Sequence, residues 1–252
     1  VAVEREHVAA HGLEEPRQVE HRLGGVILGQ MVLTDELVDR GCRVVLAGRT
    51  ADKLITACNE MDHGVMAIPV PTQVSDRKQV TALVNRAVDH FGRLDIVVNN
   101  AGVAPLEPIG EQKLETIEQC FEVNALGAAY LITAAWPHLI RESEGKRGGC
   151  IVNISTMGTF EPFPGFFAYA SSKAAVNLMA KSAANEGAAY GIRAFAVAPG
   201  AVETPMLRGL FDTTAIPPEK ALKPQDIGKV VLDCITGERD GDNGSTIPVP
   251  SP

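Results

Sequence analysis

The chain has 252 residues, of which 45% are hydrophobic and 21% charged, which suits one globular domain with a well-buried core. Its net charge is −8 and it has no basic stripe, so the composition argues against a nucleic-acid ligand. No apolar run approaches the ~20 residues of a membrane span. Residues 1–20 are polar and lack the apolar core of a signal peptide, and we expect them to form a loose extension.

Short apolar runs rich in β-branched residues alternate with helical patterns along the chain. Strands are predicted at 42–49, 65–70, 94–100, 150–155 and 192–200. Helices are predicted at about 34–41, 51–61, 76–91, 111–142, 168–190 and 225–236. The runs are apolar on both faces, which is typical of a parallel sheet covered by helices. The alternation predicts a single-domain, doubly wound α/β sheet of the Rossmann type over residues 1–252, with an excursion at 205–224 on the substrate side.

The cysteines and histidines indicate neither a metal site nor a disulfide framework. The six histidines lack the spacing of metal ligands, and the five cysteines form no CxxC pair. Cys42, Cys120 and Cys150 lie inside apolar segments. We therefore expect reduced, buried thiols in a cytoplasmic protein.

The stretch "YASSK" carries a candidate pair for acid–base chemistry. Tyr169 and Lys173 are four residues apart on a predicted helix, so their side chains share one face. An ammonium beside a phenol favours the phenolate, and we expect a lowered pKa that makes Tyr169 a general acid or base near neutral pH. Thr156 lies thirteen residues upstream, at the end of the strand "CIVNIS", and its hydroxyl could bind a substrate oxygen. Asn124 is a polar amide in an apolar helical stretch and needs a partner.

The turns after the predicted strands are the expected ligand site, because doubly wound sheets bind ligands outside the carboxyl ends of their strands. The turns contain "NNAG" (99–102), "NIST" (153–156) and "PGAVETPM" (199–206). Together with "VNALG" (123–127) and "YASSK", and in this order, they resemble the short-chain dehydrogenase/reductase family. The resemblance extends from about residue 41 to 236. It implies hydride transfer between a nicotinamide cofactor and a carbonyl or hydroxyl group of a small molecule, by a homodimer or homotetramer packed through two long helices.

The same resemblance implies a role for each residue of the candidate catalytic set. Tyr169 would donate or accept the proton, and Lys173 would bind the nicotinamide ribose and lower the pKa of Tyr169. Thr156 would polarise the substrate oxygen, and Asn124 would hold a water in a proton relay. The family usually has serine where Thr156 stands. Ser155 is the alternative, but it requires a one-residue insertion before Tyr169.

The residues implied for the cofactor favour NADP, with NAD possible. An NAD site has a carboxylate after strand two, where this chain has Gly48 followed by Arg49, which suits a 2′-phosphate. After strand three, Gln73 replaces an aspartate that pairs with adenine, and Val74 would pack on the adenine. The remaining implied cofactor contacts are Asn100, Ala101, Gly102, Tyr169, Lys173, Pro199, Gly200, Val202 and Thr204.

The stretch "HRLGGVILGQM" (21–31) lies where the family has its phosphate-binding loop, T-G-x-x-x-G-x-G. One register makes "QVEHRL" strand one and Gly24 the first glycine, but it puts Leu28 and Gln30 in the other two glycine positions. The second register makes "VIL" (26–28) a short strand one and Gly29 the turn, and it removes about five residues of the loop. The loop is abnormal in both registers.

We therefore expect an NADP-dependent oxidoreductase with a rebuilt phosphate loop. The abnormal loop and Gln73 keep open a cofactor-impaired protein that serves as a binding or structural subunit. A cofactor-free lyase or dehalogenase on the same fold is a third alternative, which Lys173 and "NNAG" argue against. Four aromatic residues are expected either to line an apolar pocket or to pack elsewhere: Phe160, Phe163, Phe166 and Phe167.

Overall fold

A parallel sheet of seven strands forms the centre of the structure, a computed structural model that describes residues 24–28, 33–60, 66–140 and 148–252. The strands are β1 (Gly24–Leu28), β2 (Arg43–Gly48), β3 (Ala67–Pro71), β4 (Ile96–Asn99), β5 (Cys150–Ile154), β6 (Arg193–Pro199) and β7 (Thr246–Val249). Their order in the sheet is β3-β2-β1-β4-β5-β6-β7, and every neighbouring pair is parallel. The predicted doubly wound α/β sheet is confirmed.

Helices connect the strands and cover both faces of the sheet. They are α1 (Leu33–Asp39), α2 (Ala51–Glu60), α3 (Arg77–Phe91), α4 (Leu114–Cys120), α5 (Gly127–Leu139), α6 (Phe167–Gly187), α7 (Pro205–Leu210) and α8 (Pro224–Thr236). A π-helical segment, Phe121–Leu126, joins α4 to α5. Within the described ranges, we find no helix long and apolar enough to cross a membrane.

Two hydrophobic cores lie on opposite faces of the sheet. Alternate residues of β2 contribute to each, because successive side chains of a strand point to opposite faces: Leu46 belongs to one core and Val45 to the other. Helices α1, α2 and α8 cover the first core, whereas α3, α5 and α6 cover the second. The five cysteines are free thiols and all are buried, as predicted.

The strand β7 was not predicted, because its sequence "TIPV" contains a proline that cannot donate a ladder hydrogen bond. It lies at the edge of the sheet, where that missing donor is tolerated. The other edge strand, β3, contains Pro69 and Pro71 for the same reason. The addition of β7 next to β6 brings residues 250–252 to the carboxyl end of the sheet.

The prediction that Gly24 begins a phosphate loop is wrong, because Gly24 is the first residue of β1. Its N–H donates to the Asp95 carboxylate (2.8 Å) and its carbonyl accepts from the Asp95 N–H (2.8 Å). It therefore lies at the amino end of the strand, opposite the ligand side. Leu28 is the last residue of β1 and pairs with Ala47, as the second register predicts. Gly29 and Gln30 lie outside the described residues.

Substitution of Gly24 by alanine tests this placement. A Cβ on Gly24 would lie 2.6 Å from the Arg93 carbonyl oxygen, so we expect the overpacking to lower the free energy of unfolding by about 1–3 kcal/mol. The affinity for a nicotinamide cofactor should stay the same. Chemical denaturation and a fluorescence titration measure the two quantities. Gly110→Ala is the matched control, because a Cβ there has no neighbour within 4 Å among the described residues. Loss of cofactor affinity without loss of stability would contradict the placement.

Candidate active site

A cavity of about 1380 Å³ opens at the carboxyl ends of the strands, beside the point where the strand order reverses between β1 and β4. Ligands bind at this position in doubly wound sheets. The segments after β4, β5 and β6 and helix α6 contribute most of the residues predicted for the site. Those that line the cavity are Asn100, Gly102, Ser155, Thr156, Tyr169, Lys173, Pro199, Gly200, Val202 and Thr204.

Lys173 lies one turn after Tyr169 on α6, and both residues line the cavity. Its side chain is buried, and Nζ donates a hydrogen bond of 2.7 Å to the backbone oxygen of Ile154 at the end of β5. A Cβ on Gly102 would lie 3.2 Å from Nζ, so the glycine leaves space beside the ammonium. Burial lowers the pKa of Lys173 to about 8, and the ammonium is still its main form at neutral pH.

Thr156, and not Ser155, is the hydroxyl beside the phenol of Tyr169. The Thr156 side chain interacts with the phenol, and its Oγ1 also accepts from the Gly158 N–H (3.2 Å), which caps a single 3₁₀ turn. The hydroxyl of Ser155 is buried and donates instead to the backbone oxygen of Lys173 (3.4 Å). The structure therefore separates the two neighbouring hydroxyls: one faces the phenol, and the other supports the backbone of α6.

The pKa of Tyr169 is raised above its ordinary value, opposite to the predicted direction. Burial has the largest effect, the interaction with Thr156 opposes it in part, and Cys120 adds to it. The ring of Phe166 packs edge-to-face against Tyr169 with centroids 5.1 Å apart, which places hydrocarbon next to the phenol. The phenol is therefore protonated at neutral pH, the form that donates a proton.

Asn124 lies in the π-helical segment and joins the loop after β4 to helix α6. Its Oδ1 accepts from the Val103 N–H (2.8 Å), and its Nδ2 donates to the Val103 oxygen (2.9 Å) and to the Ser172 hydroxyl (2.9 Å). Both polar atoms of this buried amide are thus bonded to protein groups. The side chain holds the loop that contains Gly102 against the helix that contains Lys173, and its predicted role in a water relay stays a prediction.

The predicted residues after β6 form one wall of the cavity. The Gly200 N–H donates to the Val249 oxygen of β7 (2.9 Å), and Val202 forms a bridge with Leu222. The hydroxyl of Thr204 donates to the Val202 oxygen (3.1 Å) and accepts from the Leu207 N–H (3.2 Å), so it caps α7. The excursion predicted at 205–224 therefore begins with a capped helix, and several of its residues line the cavity.

Arg49, Gln73, Val74 and Ala101 lie near the same edge of the sheet but do not line the cavity. Arg49 follows β2 and is exposed. Gln73, two residues after β3, is exposed, and its Nε2 donates to the Ser75 hydroxyl (2.9 Å). Val74 is buried against the backbone of Gly127, where a Cβ would lie 3.1 Å from its methyl group. Ala101 packs against the core beneath α3 and α5.

Two cavity-lining hydroxyls were not predicted. Thr34, on α1, is buried at the cavity wall, and its Oγ1 has no hydrogen-bond partner among the residues that the structure describes. The sequence could have indicated Thr34, because it has a hydroxyl in the first turn of the helix that follows the glycine-bearing stretch 21–31. Ser251 accepts from the Ala201 N–H (2.8 Å) and donates to the Ala201 oxygen (3.3 Å). Without the prediction of β7, no signal placed Ser251 there.

Comparison with known proteins finds one family model and many relatives that share this architecture. The model described as short chain dehydrogenase matches residues 28–215. An uncharacterised oxidoreductase of Staphylococcus aureus (strain USA300) is 32% identical over 209 residues, which cover 83% of this chain and 86% of the relative.

Two solved structures are similar to the chain over nearly its whole length. A 3-ketoacyl-(acyl-carrier-protein) reductase from Brucella melitensis, complexed with NADH, has a TM-score of 0.83 and 25% identity and covers 92% of this chain and 97% of its own. The structure of ElxO with NADP bound has a TM-score of 0.81 and 26% identity and covers 90% of this chain and 97% of its own.

Proposed function

The chain belongs to the short chain dehydrogenase family, and on this premise we propose that it is an NADP-dependent oxidoreductase acting on a small-molecule carbonyl or alcohol. Its relatives support an oxidoreductase, and similar structures bind NADH or NADP. The observation that carries the proposal is the placement of Tyr169, Thr156 and Lys173 together in a cavity at the carboxyl ends of the sheet. This arrangement supplies a proton donor, a hydroxyl that binds oxygen and a cation.

In the proposed reaction, Tyr169 and Thr156 act on the same substrate oxygen. The nicotinamide supplies or accepts the hydride when it is bound. Thr156 donates a hydrogen bond that orients and polarises the substrate carbonyl, and Tyr169 transfers its phenolic proton to the oxygen as the alcohol forms. The raised pKa of Tyr169 keeps this proton on the phenol before the transfer.

Lys173 supports Tyr169 and holds the cofactor in this account. One of its three N–H donors is bound to the Ile154 oxygen; within the described part of the chain the other two have no acceptor, and we assign them to a ribose hydroxyl and to the phenol. Its positive charge stabilises the phenolate that remains after proton transfer. Asn124 acts through position, because its bonds to Val103 and Ser172 align the loop after β4 with α6.

The residues present fit a dinucleotide at several points. A side chain at Gly102 would fill the space beside Lys173, whereas the glycine leaves that space to a ligand. The unbonded hydroxyl of Thr34, among the described residues, suits a phosphate oxygen at the cavity wall. We assign the residues after β4 and β6 to the nicotinamide half of the cofactor: Asn100, Ala101, Gly102, Pro199, Gly200, Val202 and Thr204. We assign the residues after β2 and β3 to the adenosine half: Arg49, Gln73 and Val74.

Substitution of Arg49 by glutamate tests the preference for NADP. The exposed guanidinium of Arg49 would pair with the 2′-phosphate, and a carboxylate there would repel it and accept from a 2′-hydroxyl instead. We expect Arg49→Glu to weaken NADPH binding by about tenfold or more and to leave NADH binding unchanged or stronger. Arg86→Glu on α3 is the control for an exposed arginine elsewhere. Equal loss of affinity for both cofactors would refute the assignment.

A second candidate function is favoured by the glycine spacing before α1. In the stretch 21–31 before α1, the sequence lacks the three-glycine spacing of the family motif. A chain without those glycines loses close backbone contacts to a pyrophosphate and would serve as a binding or structural subunit. Steady oxidation of NADPH by the purified chain with a ketone substrate, slowed by about 10³-fold in Tyr169→Phe, distinguishes the first candidate from the second.

We further propose that the chain forms a homodimer or homotetramer through its long helices. The helical region from α4 to α6 exposes several large apolar side chains, among them Leu114 at 72% and Leu178 at 64%. Phe121 and Leu126 of the π-helical segment are also exposed. Of the small residues along α6, Ala174 is exposed and Ala175 half-buried, and these two permit a close approach of two helices, whereas Ala180, Ala183 and Ala184 are buried in the chain's own core.

A further inference from the structure

The cavity has a hydrocarbon wall that begins at the phenol of Tyr169. The buried Phe166 packs against Tyr169, and Phe163, which is 64% exposed, packs edge-to-face on Phe166 with ring centroids 5.7 Å apart. Phe160 and Phe167 are not part of this wall and are about half exposed. The other hydrocarbon residues that line the cavity are Leu106, Met157, Met206, Leu207, Leu210, Phe211 and Ile216.

Arg208, which lies among the wall residues of α7, already forms an ion pair with Glu203. Arg208, on α7, pairs with the carboxylate of Glu203 through two nitrogens, one of them Nε at 2.7 Å. Its remaining terminal nitrogen donates to the backbone oxygen of Ile216 (2.8 Å). The guanidinium therefore joins the two ends of the segment 203–216 and offers no free fork to a substrate carboxylate.

Apart from Lys173, the described residues of the cavity lining provide no buried cation for an anion near the reacting carbonyl. Among the described lining residues, the carboxylates are Glu60, Glu161 and Glu203, and the cations are Lys173 and Lys220. Lys173 is assigned to the cofactor, and Lys220 is exposed to solvent, which weakens any ion pair it makes. A carboxylate placed against the buried ring of Phe166 would lose its hydration without gaining a partner.

Resting on the proposed function, we infer that the substrate is an uncharged ketone or aldehyde with a bulky hydrocarbon group on its carbonyl carbon. The carbonyl oxygen binds Thr156 and Tyr169, while the hydrocarbon group lies against Phe166, Met157 and Leu207 of the cavity lining. An acid of the same size is excluded by the desolvation of its charge.

Three carbonyl compounds test this inference. Benzylacetone is the uncharged ketone with a phenyl group. In the 2-oxo acid 4-phenyl-2-oxobutanoate a carboxylate replaces the methyl group of benzylacetone, and butanone lacks the phenyl group. Their binding is measured by calorimetry on the wild-type chain saturated with oxidised NADP, which has no hydride to give to a carbonyl and so forms a complex that does not turn over. We expect benzylacetone to bind at least about tenfold more tightly than either of the others, from desolvation of the acid and burial of the ring. Equal or tighter binding of the acid, or no binding of benzylacetone, would overturn the inference.

Two substitutions in the cavity wall sharpen the test. Leu210→Arg adds an unpaired cation to the apolar wall, and we expect it to raise the affinity for the 2-oxo acid relative to benzylacetone by about tenfold. Lys220→Ala should leave this ratio unchanged, and a fall in acid binding would assign Lys220 as an anion site against the inference. Failure of the wild-type chain to bind NADPH would overturn the proposed function instead, so the two failures are distinguishable.

Discussion

Replacement of Tyr169 by phenylalanine is expected to lower kcat for carbonyl reduction by about 10³-fold, because it removes the proton that the substrate oxygen needs. The ring of Tyr169 and its contact with Phe166 are kept, so the cavity should retain its shape. We expect the Kd of NADPH to change by less than a factor of about two, since Lys173 still reaches the cofactor side of the cavity. Steady-state kinetics and a fluorescence titration on the same preparation separate the two effects.

The control for Tyr169→Phe is the same change at Tyr190, which is exposed in a turn after α6. Tyr190→Phe should leave kcat and the Kd of NADPH unaltered. Retention of wild-type kcat in Tyr169→Phe would refute the assignment of Tyr169 as the proton donor. A parallel fall in NADPH affinity would instead make Tyr169 mainly a cofactor ligand.

Substitution of Lys173 by methionine is expected to impair activity and, near neutral pH, to stabilise the fold. We expect kcat/KM to fall by about 10²-fold or more, because the phenolate and the ribose lose their cation. Burial lowers the pKa of Lys173 from 10.5 to about 8. Below pH 8 the buried charge therefore lowers the free energy of unfolding of the wild-type chain. Methionine fills similar space without a charge, although the bond to the Ile154 oxygen is lost.

The stability effect of Lys173→Met has a definite pH dependence. Between about 8 and 10.5 the unfolded chain binds the Lys173 proton and the folded chain does not, so wild-type stability gains from rising pH over this window. The gain amounts to about 3 kcal/mol, and the variant lacks it. The stability advantage of Lys173→Met should therefore be largest below pH 8 and shrink as the pH rises to 10.5. Denaturant unfolding of both chains across this range measures it, and a constant difference would show that Lys173 is not strongly perturbed.

The sheet could be predicted from sequence where its strands are buried on both faces. The runs that became β2, β4, β5 and β6 end within two residues of their predicted limits, because burial under helices requires continuous apolar side chains. The edge strand β7 was missed, since its proline and exposed position remove that pattern. One register placed Gly24 after β1, whereas it begins β1. The sequence shows that a glycine permits a close approach, but it does not show whether a ligand or, as here, the backbone of Arg93 makes that approach.

The members of the candidate site were easier to predict than their electrostatics. The four-residue spacing of Tyr169 and Lys173 places both side chains on one helix face, and that follows from helix geometry alone. Burial around Tyr169 arises from Phe166 and from the packing of α6, so the sign of its pKa shift depends on tertiary structure. The sequence predicted that the buried amide of Asn124 needs a hydrogen-bond partner, but it did not identify Val103 and Ser172 as those partners.

Direct titration of the purified chain with NADPH and NADH tests the central claim most directly. The enhancement of nicotinamide fluorescence on binding reports occupancy of the cavity beside Lys173 without requiring a known substrate. The account predicts saturable binding of NADPH, tighter than that of NADH, despite the abnormal glycine spacing before α1. Absence of binding by either nucleotide at millimolar concentration would contradict the account and favour a cofactor-impaired binding or structural protein.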